Sequence, residues 1–172
     1  MFRNFLNRDL KLEKSIARIL FNNSLTLSSA ESCTGGLLSS RLTDISGSSV
    51  YTKLNYVTYS NEAKNKILGV SEKILNEYGA VSRECARDMA EGLYDISDSD
   101  IAICTTGIAG PTGGSENKPV GLLYVAIKNQ MNIEVKEYKL NPKFQRVNMK
   151  YEFTQCAMTQ LLEFLNRNYL SN

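Results

Sequence analysis

The chain has 172 residues, a net charge of +2 and no histidine. That length suits one domain with a substantial buried core, and so small a charge surplus, with no basic stripe among aromatics, leaves no electrostatic footprint for nucleic acid. Without histidine there can be no Ser-His-Asp or Cys-His triad and no histidine-ligated metal.

In chain order, Leu12, Ile16, Ile19 and Leu20 share one helical face and predict an opening helix from about Leu10 to Asn22. Leu25 to Ala30 reads as a short strand, ended by Glu31 and the Gly35-Gly36 pair. Leu37, Leu38, Arg41 and Leu42 then resume helical spacing before Gly47. Val50 to Thr58, rich in β-branched and aromatic residues, predicts a second strand. Ser60 can cap a helix that starts at Asn61, turns Ala63, Ile67 and Leu68 inward and stops at Gly69. Ser71 and Ser82 have the same capping character, and Cys85, Met89, Ala90 and Leu93 mark the inner face of the second of these helices. Ile101 to Cys104 is an unbroken apolar run, as in a strand covered on both faces. After a Gly- and Pro-rich loop, Val120 to Ile127 and Ile133 to Leu140 predict a hairpin, and Val147, Tyr151, Thr154, Met158, Leu161 and Leu165 mark a long closing helix. Strands alternating with helices, plus one hairpin, give an α/β fold with helices on both faces of a mixed, mostly parallel sheet. No repeat or second domain boundary appears, so residues 1–172 read as one domain.

No apolar run approaches the length of a membrane span, and the opening stretch Met1 to Leu10 lacks the apolar core and cleavage site of a signal peptide. Cys33, Cys85, Cys104 and Cys156 are scattered without a C-x-x-C pair, which suits reduced thiols in the cytoplasm. Cys85, Cys104 and Cys156 read as structural.

Three segments have a physical reason to sit beside a small anion. In Glu31 to Gly36 a nucleophile, Ser32, precedes two glycines that let backbone approach a ligand. The amides opening the next helix favour a phosphate or a developing oxyanion. The same turn lowers the pKa of a thiol, so Cys33 competes with Ser32, and a tight connection without a ligand also fits. In Tyr59 to Lys64, the Ser60 cap puts Lys64 near the positive end of a helix dipole, which favours its neutral amine. A solvated surface lysine fits that pattern too. With no histidine present, Lys64 is the leading acceptor for the Ser32 proton. The third segment, Thr106 to Gly114 leading to Lys118-Pro119-Val120-Gly121, leaves the end of the buried strand, where open α/β sheets place ligands. It lacks the Gly-Lys-Ser/Thr of a Walker A loop, and a plain connection between strands fits it equally.

Taken together, the strings Ala30-Glu-Ser-Cys-Thr-Gly-Gly36, Leu42-Thr-Asp-Ile-Ser-Gly-Ser-Ser49, Val57-Thr-Tyr-Ser-Asn-Glu-Ala-Lys64, Gly79-Ala-Val-Ser82, Thr106-Gly-Ile-Ala-Gly-Pro111 and Lys118-Pro-Val-Gly121 resemble the C-terminal domain of the CinA (competence/damage-inducible) family. The resemblance implies a three-layer α/β/α fold with a mixed five-stranded sheet and no metal or redox cofactor. It also implies a nicotinamide-nucleotide amidase, converting nicotinamide mononucleotide to nicotinic acid mononucleotide and ammonia for NAD salvage. Longer relatives carry an N-terminal hydrolase domain with no counterpart in this chain. By position, Ser32 becomes the nucleophile and Lys64 its base, with Tyr59 and Thr106 beside them. Glu31, Cys33, Thr34, Gly35, Gly36, Gly107, Gly110, Gly113, Gly114, Lys118 and Arg146 are assigned to the substrate. The expected partner is this small nucleotide, with neither nucleic acid nor membrane involved and a homo-oligomer left open. Two departures stand out. Lys53-Leu54-Asn55 replaces a glycine usual in the family, and Phe144-Gln145-Arg146 replaces Gly-Asp-Arg. The rival readings are a non-catalytic nucleotide-binding module and a thiol hydrolase using Cys33.

Overall fold

Alternating apolar runs and serine-capped segments assemble into a five-stranded sheet between two helical layers, as seen in a computed structural model that describes residues 9–170. Residues 1–8, which make up most of the stretch read as lacking a signal peptide, lie outside the described residues. Helix α1 (Lys11–Asn22) leads to β1 (Leu27–Glu31), followed by α2 (Leu37–Leu42), a single 3-10 turn and β2 (Thr52–Val57). Helices α3 (Asn61–Leu68), α4 (Glu72–Glu77) and α5 (Arg83–Ser97) connect to β3 (Ile101–Gly107). The hairpin of β4 (Leu122–Lys128) and β5 (Ile133–Lys139) precedes α6 (Arg146–Tyr169).

The strand order is β2-β1-β3-β4-β5. Strand β1 is parallel to β2 and β3, whereas β3-β4 and β4-β5 are antiparallel, so four of the five strands point one way. All five residues of β1 are buried, as a strand covered on both faces requires. One face packs on α1, α2 and α6 through Ile16, Leu20, Leu38, Phe153 and Phe164, against Leu27, Ile103 and Val125 from the sheet. The other face is built of small residues, Ala30, Ala102, Cys104 and Ala126, which let α5 approach with Met89 and Leu93. Helix α3 crosses α5 so closely that a Cβ at Gly92 would fall 1.7 Å from the Leu68 carbonyl oxygen. Among the described residues no helix is long and apolar enough to cross a membrane.

Ser60, Ser71 and Ser82 each accept a hydrogen bond from the amide three residues on, and Gly69 closes α3 in the left-handed region. Two side chains do not face as their periodicity suggests. Ile67 is 38% exposed because α3 lies along the margin of its layer, and only Leu68 reaches the core. Val147 is 77% exposed: the first turn of α6 sends Arg146 toward the end of the sheet and its neighbour into solvent.

Beneath α1, α2 and α6 lies a buried polar knot. The Arg41 guanidinium donates to Glu13 Oε1 (2.9 Å), Thr154 Oγ1 (2.8 Å) and Gln155 Oε1 (3.0 Å), and lies 4.9 Å from the centre of the Tyr151 ring. Removing one partner of a buried charged network costs about 3–5 kcal/mol. Arg41→Ala is therefore expected to lower stability by about that amount, read as a shift in the urea unfolding midpoint with the slope unchanged.

The chain leaves β1 for α2 on one face and leaves β2 for α3 on the other. The crevice beyond the C-terminal ends of β1 and β2 is thus a topological switch point, where open α/β sheets present ligand-binding residues.

Candidate active site

Ser32 is the first residue past β1, and its amide donates to the Thr105 carbonyl of β3 (3.0 Å), fixing it at the lip of the sheet. Across the switch point, the Thr58 amide donates to the Glu31 carbonyl (2.8 Å), which ties the end of β2 to the end of β1. Lys64 lies one turn into α3. Helical side chains lean toward the N-terminus, so its amine returns over the start of the helix. There Nζ lies 2.8 Å from the Thr58 carbonyl oxygen, to which it donates, and 3.0 Å from Ser32 Oγ. Lys64 is 1% exposed.

Burial holds the Lys64 amine below its ordinary pKa, and burial rather than the helix dipole is the leading cause. Two thiols, Cys85 and Cys33, face it, and their anions would oppose the shift. Both are buried, which pushes Cys85 to about 11 and Cys33 to about 12. Near neutrality they are uncharged, so neither gives the ammonium form a counter-ion. A neutral amine can accept the Ser32 hydroxyl proton while an N–H still donates to Thr58.

The value for Cys33 corrects the expectation that the turn would activate its thiol. Desolvation by the sheet and the nearby Glu31 carboxylate outweigh its own amide and Lys64. Its sulfur packs where a side chain on Gly107 would begin, 3.2 Å from the position a Cβ would take there.

The amides that open α2 are also placed differently from their sequence reading. Buried Glu31 turns back and accepts from the amides of Gly36 (2.9 Å), Leu38 (3.0 Å) and Ser39 (2.7 Å), and from the Ser39 hydroxyl. Glu31 thus serves as the anion for its own helix, and neither it nor Gly36 borders the cavity. Within the turn, the Gly35 amide donates to the Ser32 carbonyl. The Thr34 amide has no acceptor among the described residues, and the Cys33 amide faces its own thiol. Of the two residues only Cys33 borders the cavity; Thr34 is fully buried behind it. The Thr34 side chain is buried against Thr105, its Oγ1 2.9 Å away.

A cavity of about 260 Å³ opens over the dyad. Ser32, Cys33 and Lys64 form its floor, and Tyr59 and Arg146 form one wall. The glycine loop supplies Gly107 to Gly110, with Thr112 and Gly113, and Thr106 faces Ala80 and Val81 from the α4–α5 connection. The Thr106 hydroxyl donates to the Ala80 carbonyl (2.7 Å), so its proton is used in shaping the wall. Arg146 spans the mouth, donating to the Gly110 carbonyl (2.7 Å) and to the hydroxyl of Tyr59 (2.8 Å), itself 60% exposed. Among the described residues no carboxylate lines this space.

Four other predicted contacts lie elsewhere, and two of them, Thr34 and Gly35, sit in the turn past Ser32 without bordering the cavity. The Lys118 ammonium donates to the Tyr78 carbonyl and closes the loop beneath, outside the cavity. Gly114 packs under Val120, whose amide nitrogen a Cβ there would meet at 2.8 Å. Ile108, Ala109 and Thr112 belong to the Gly107 to Gly114 loop expected at the pocket, whereas Thr58, Ala80 and Val81 were not assigned to the site. Thr58, Ala80 and Val81 act through backbone or bulk, which leaves no chemical signature, though the strings Val57 to Lys64 and Gly79 to Ser82 had marked their surroundings. Among the described residues there is no cluster of three or more Cys, Asp or Glu side chains placed to hold a metal ion.

Known proteins share this arrangement of sequence and fold. A family model described as the CinA C-terminal domain matches residues 9–165. A CinA-like protein of Syntrophus aciditrophicus is 46% identical over 91% of this chain, and one of Geobacter sulfurreducens is 48% identical over 95%. The chain spans only 37% and 38% of the length of these two curated relatives. Among solved structures, the competence/damage inducible protein CihA of Agrobacterium tumefaciens superposes with a TM-score of 0.84 at 40% identity, covering 90% of this chain and 95% of that one. The competence damage-inducible protein A of Klebsiella pneumoniae gives 0.88 at 30% identity, covering 94% and 99%. A match along nearly the whole chain, in sequence and in fold, places this protein in the CinA C-terminal domain family.

Proposed function

We propose that this domain is a nicotinamide-nucleotide amidase, hydrolysing the carboxamide of nicotinamide mononucleotide to nicotinic acid mononucleotide and ammonia. The observation that carries the reading is the buried Lys64 amine 3.0 Å from Ser32 Oγ, in a site without histidine. Lys64 takes the Ser32 proton as Oγ attacks the carboxamide carbon. The Cys33 amide, at the cavity floor beside Ser32, is the donor for the oxyanion. The carbon–nitrogen bond then breaks, the Lys64 ammonium returns its proton, and ammonia leaves an ester on Ser32. A water molecule gives a proton to Lys64 and attacks that ester. The proton passes back to Ser32 Oγ as the acid departs, and the acid loses its own proton to solvent to become the carboxylate. The pyridinium charge makes the carbonyl more electrophilic in both steps.

An anionic substrate suits a lining that, among the described residues, has no carboxylate and carries the permanent cation Arg146. The cavity is smaller than the roughly 300–1,000 Å³ of typical ligand pockets, so it suits the nicotinamide end and leaves the phosphate near the mouth. Binding energy from the remote phosphate can then position the carboxamide, so truncated substrates should lose turnover as well as affinity. Nicotinamide mononucleotide is expected to exceed nicotinamide riboside, and riboside to exceed nicotinamide, in kcat/KM. Equal values for all three would mean that the phosphate is not read.

The deciding assay is ammonia release from nicotinamide mononucleotide by purified protein. Binding without ammonia release would favour the non-catalytic module. Activity is expected to survive exhaustive chelation, since no step uses a metal; loss restored by one specific metal would overturn that. The thiols suit a reducing cytoplasm, with the nucleotide as the only obligatory partner and self-association open to a sedimentation test.

A further inference from the structure

The turn that carries Ser32 is held at both ends by one residue. The Glu31 carbonyl accepts from the Thr58 amide, and the Glu31 carboxylate accepts from the amides of Gly36, Leu38 and Ser39 on the far side of the turn. A line of polar side chains leads away from that carboxylate. Ser39 Oγ donates to Glu31 Oε1 (2.5 Å), Ser29 Oγ lies 2.9 Å from Ser39 Oγ, and the Asn55 carboxamide, Oδ1 foremost, lies 2.7 Å from Ser29 Oγ. Ser29 is fully buried, whereas Asn55 is exposed on the edge strand β2. Asn55 reaches Ser29 because β2 carries a bulge. Leu27 pairs with Thr52 but Ser29 pairs with Asn55, so Lys53 and Leu54 both stand opposite Ser28, whose hydroxyl accepts from the Leu54 amide (3.0 Å). In even register Leu54 would face Ser29. Lys53-Leu54-Asn55 is also one of this chain's two departures from the family pattern.

Counting protons gives the line a direction. Each hydroxyl has one to give, and the Ser39 proton goes to the carboxylate. The Ser29–Ser39 contact therefore needs the Ser29 proton, and the contact between Ser29 and Asn55 needs a donor from Asn55. A half-turn of the carboxamide supplies one as Nδ2–H, since its two ends have the same shape. The reverse direction would need a proton on Glu31, whose two oxygens already accept from three amides. We propose that Asn55 donates through Ser29 and Ser39 to the Glu31 carboxylate, and that this relay fixes the turn presenting Ser32 to Lys64. Asn55 is then a positioning residue, remote from the cavity and acting through the turn. Its effect on turnover rests on the amidase reading of Ser32 and Lys64.

The test compares wild type with Asn55→Ala, Asn55→Asp, Ser29→Ala and the Ser29→Ala/Asn55→Ala double variant. Asn55→Ala should lower kcat for nicotinamide mononucleotide by about 10-fold, short of the roughly 100-fold that a misplacement of about 1 Å costs. KM and the urea midpoint should not change. Aspartate has the same shape but, once ionised, only accepts, so Asn55→Asp should lose activity as Asn55→Ala does. Because Asn55 acts through Ser29, adding Asn55→Ala to Ser29→Ala should cost nothing further. Wild-type kcat in Asn55→Ala or Asn55→Asp, or losses that multiply in the double variant, would overturn the proposal. A loss of kcat matched by a fall in the urea midpoint would overturn it too, as a merely structural effect. Amide hydrogen exchange reads the relay without substrate: Gly36, Leu38 and Ser39 should exchange faster in Asn55→Ala while the amides of β4 do not. If wild type releases no ammonia, the amidase reading fails, and the exchange rates alone decide the relay. Unchanged rates at those three amides would remove it.

Discussion

Ser32→Ala is expected to lower kcat for carboxamide hydrolysis by about 10⁴- to 10⁶-fold, the range seen when a hydrolase loses its nucleophile. The fold should survive, because the Ser32 backbone contact to Thr105 does not depend on the side chain. Cys33→Ala should retain most activity, since burial keeps that thiol protonated near neutrality. Measured side by side, the two variants separate a serine from a thiol enzyme. Activity kept in Ser32→Ala and lost in Cys33→Ala would reverse the assignment.

The second large effect is expected at Lys64. Lys64→Arg keeps a cation that cannot deprotonate near neutrality, and Lys64→Met removes the basic nitrogen altogether. Both should lower kcat by about 10²- to 10⁴-fold, the usual contribution of a positioned base. In the wild type, kcat/KM should rise with pH as Lys64 loses its proton, then level off above an apparent pKa below the ordinary lysine value of 10.5. The same shift acts on stability. The folded chain binds fewer protons than the unfolded one between the lowered pKa and the ordinary value, so this group's contribution to stability rises with pH across that window. Lys64→Met removes the cost of burying the amine and is expected to raise Tm at neutral pH, with about 2–4 °C per kcal/mol for a chain of this size. An Arg variant as active as wild type would reduce Lys64 to a positive anchor.

These effects follow from features the sequence displays with different clarity. The Ser60 cap, the Gly69 stop and the helical spacing between them put Lys64 one turn into α3 before any coordinates are considered, and Ser32 sits next to the helix-opening glycines. Both signals are local, because capping and backbone freedom depend on a few neighbouring residues. Glu31 was harder to read. A carboxylate beside a nucleophile looks like part of the chemistry, whereas here it turns under α2 and saturates three amides. Cys33 depends on tertiary packing: its burial comes from β3 and the loop at Gly107, far away in sequence. Lys118 shows the same limit: it follows a glycine loop and looks like an anion ligand, but folds beneath the cavity.

The α/β class could be read from strand and helix alternation, but β4 running against its neighbours could not be fixed by composition. The short connection between β4 and β5 pointed to an antiparallel hairpin, and that pairing is present. The antiparallel pairing of β3 with β4 follows from the glycine loop, which returns the chain beside the strand it has just left, without a crossover helix.

The proposed chemistry passes through an ester on Ser32, and its most direct test is the mass of the protein quenched after mixing with nicotinamide mononucleotide. The expected product is protein heavier by the substrate minus ammonia, with the addition on the peptide containing Ser32, present in Cys33→Ala and absent in Ser32→Ala. An acyl group that persists in Ser32→Ala and disappears in Cys33→Ala would contradict a serine–lysine amidase.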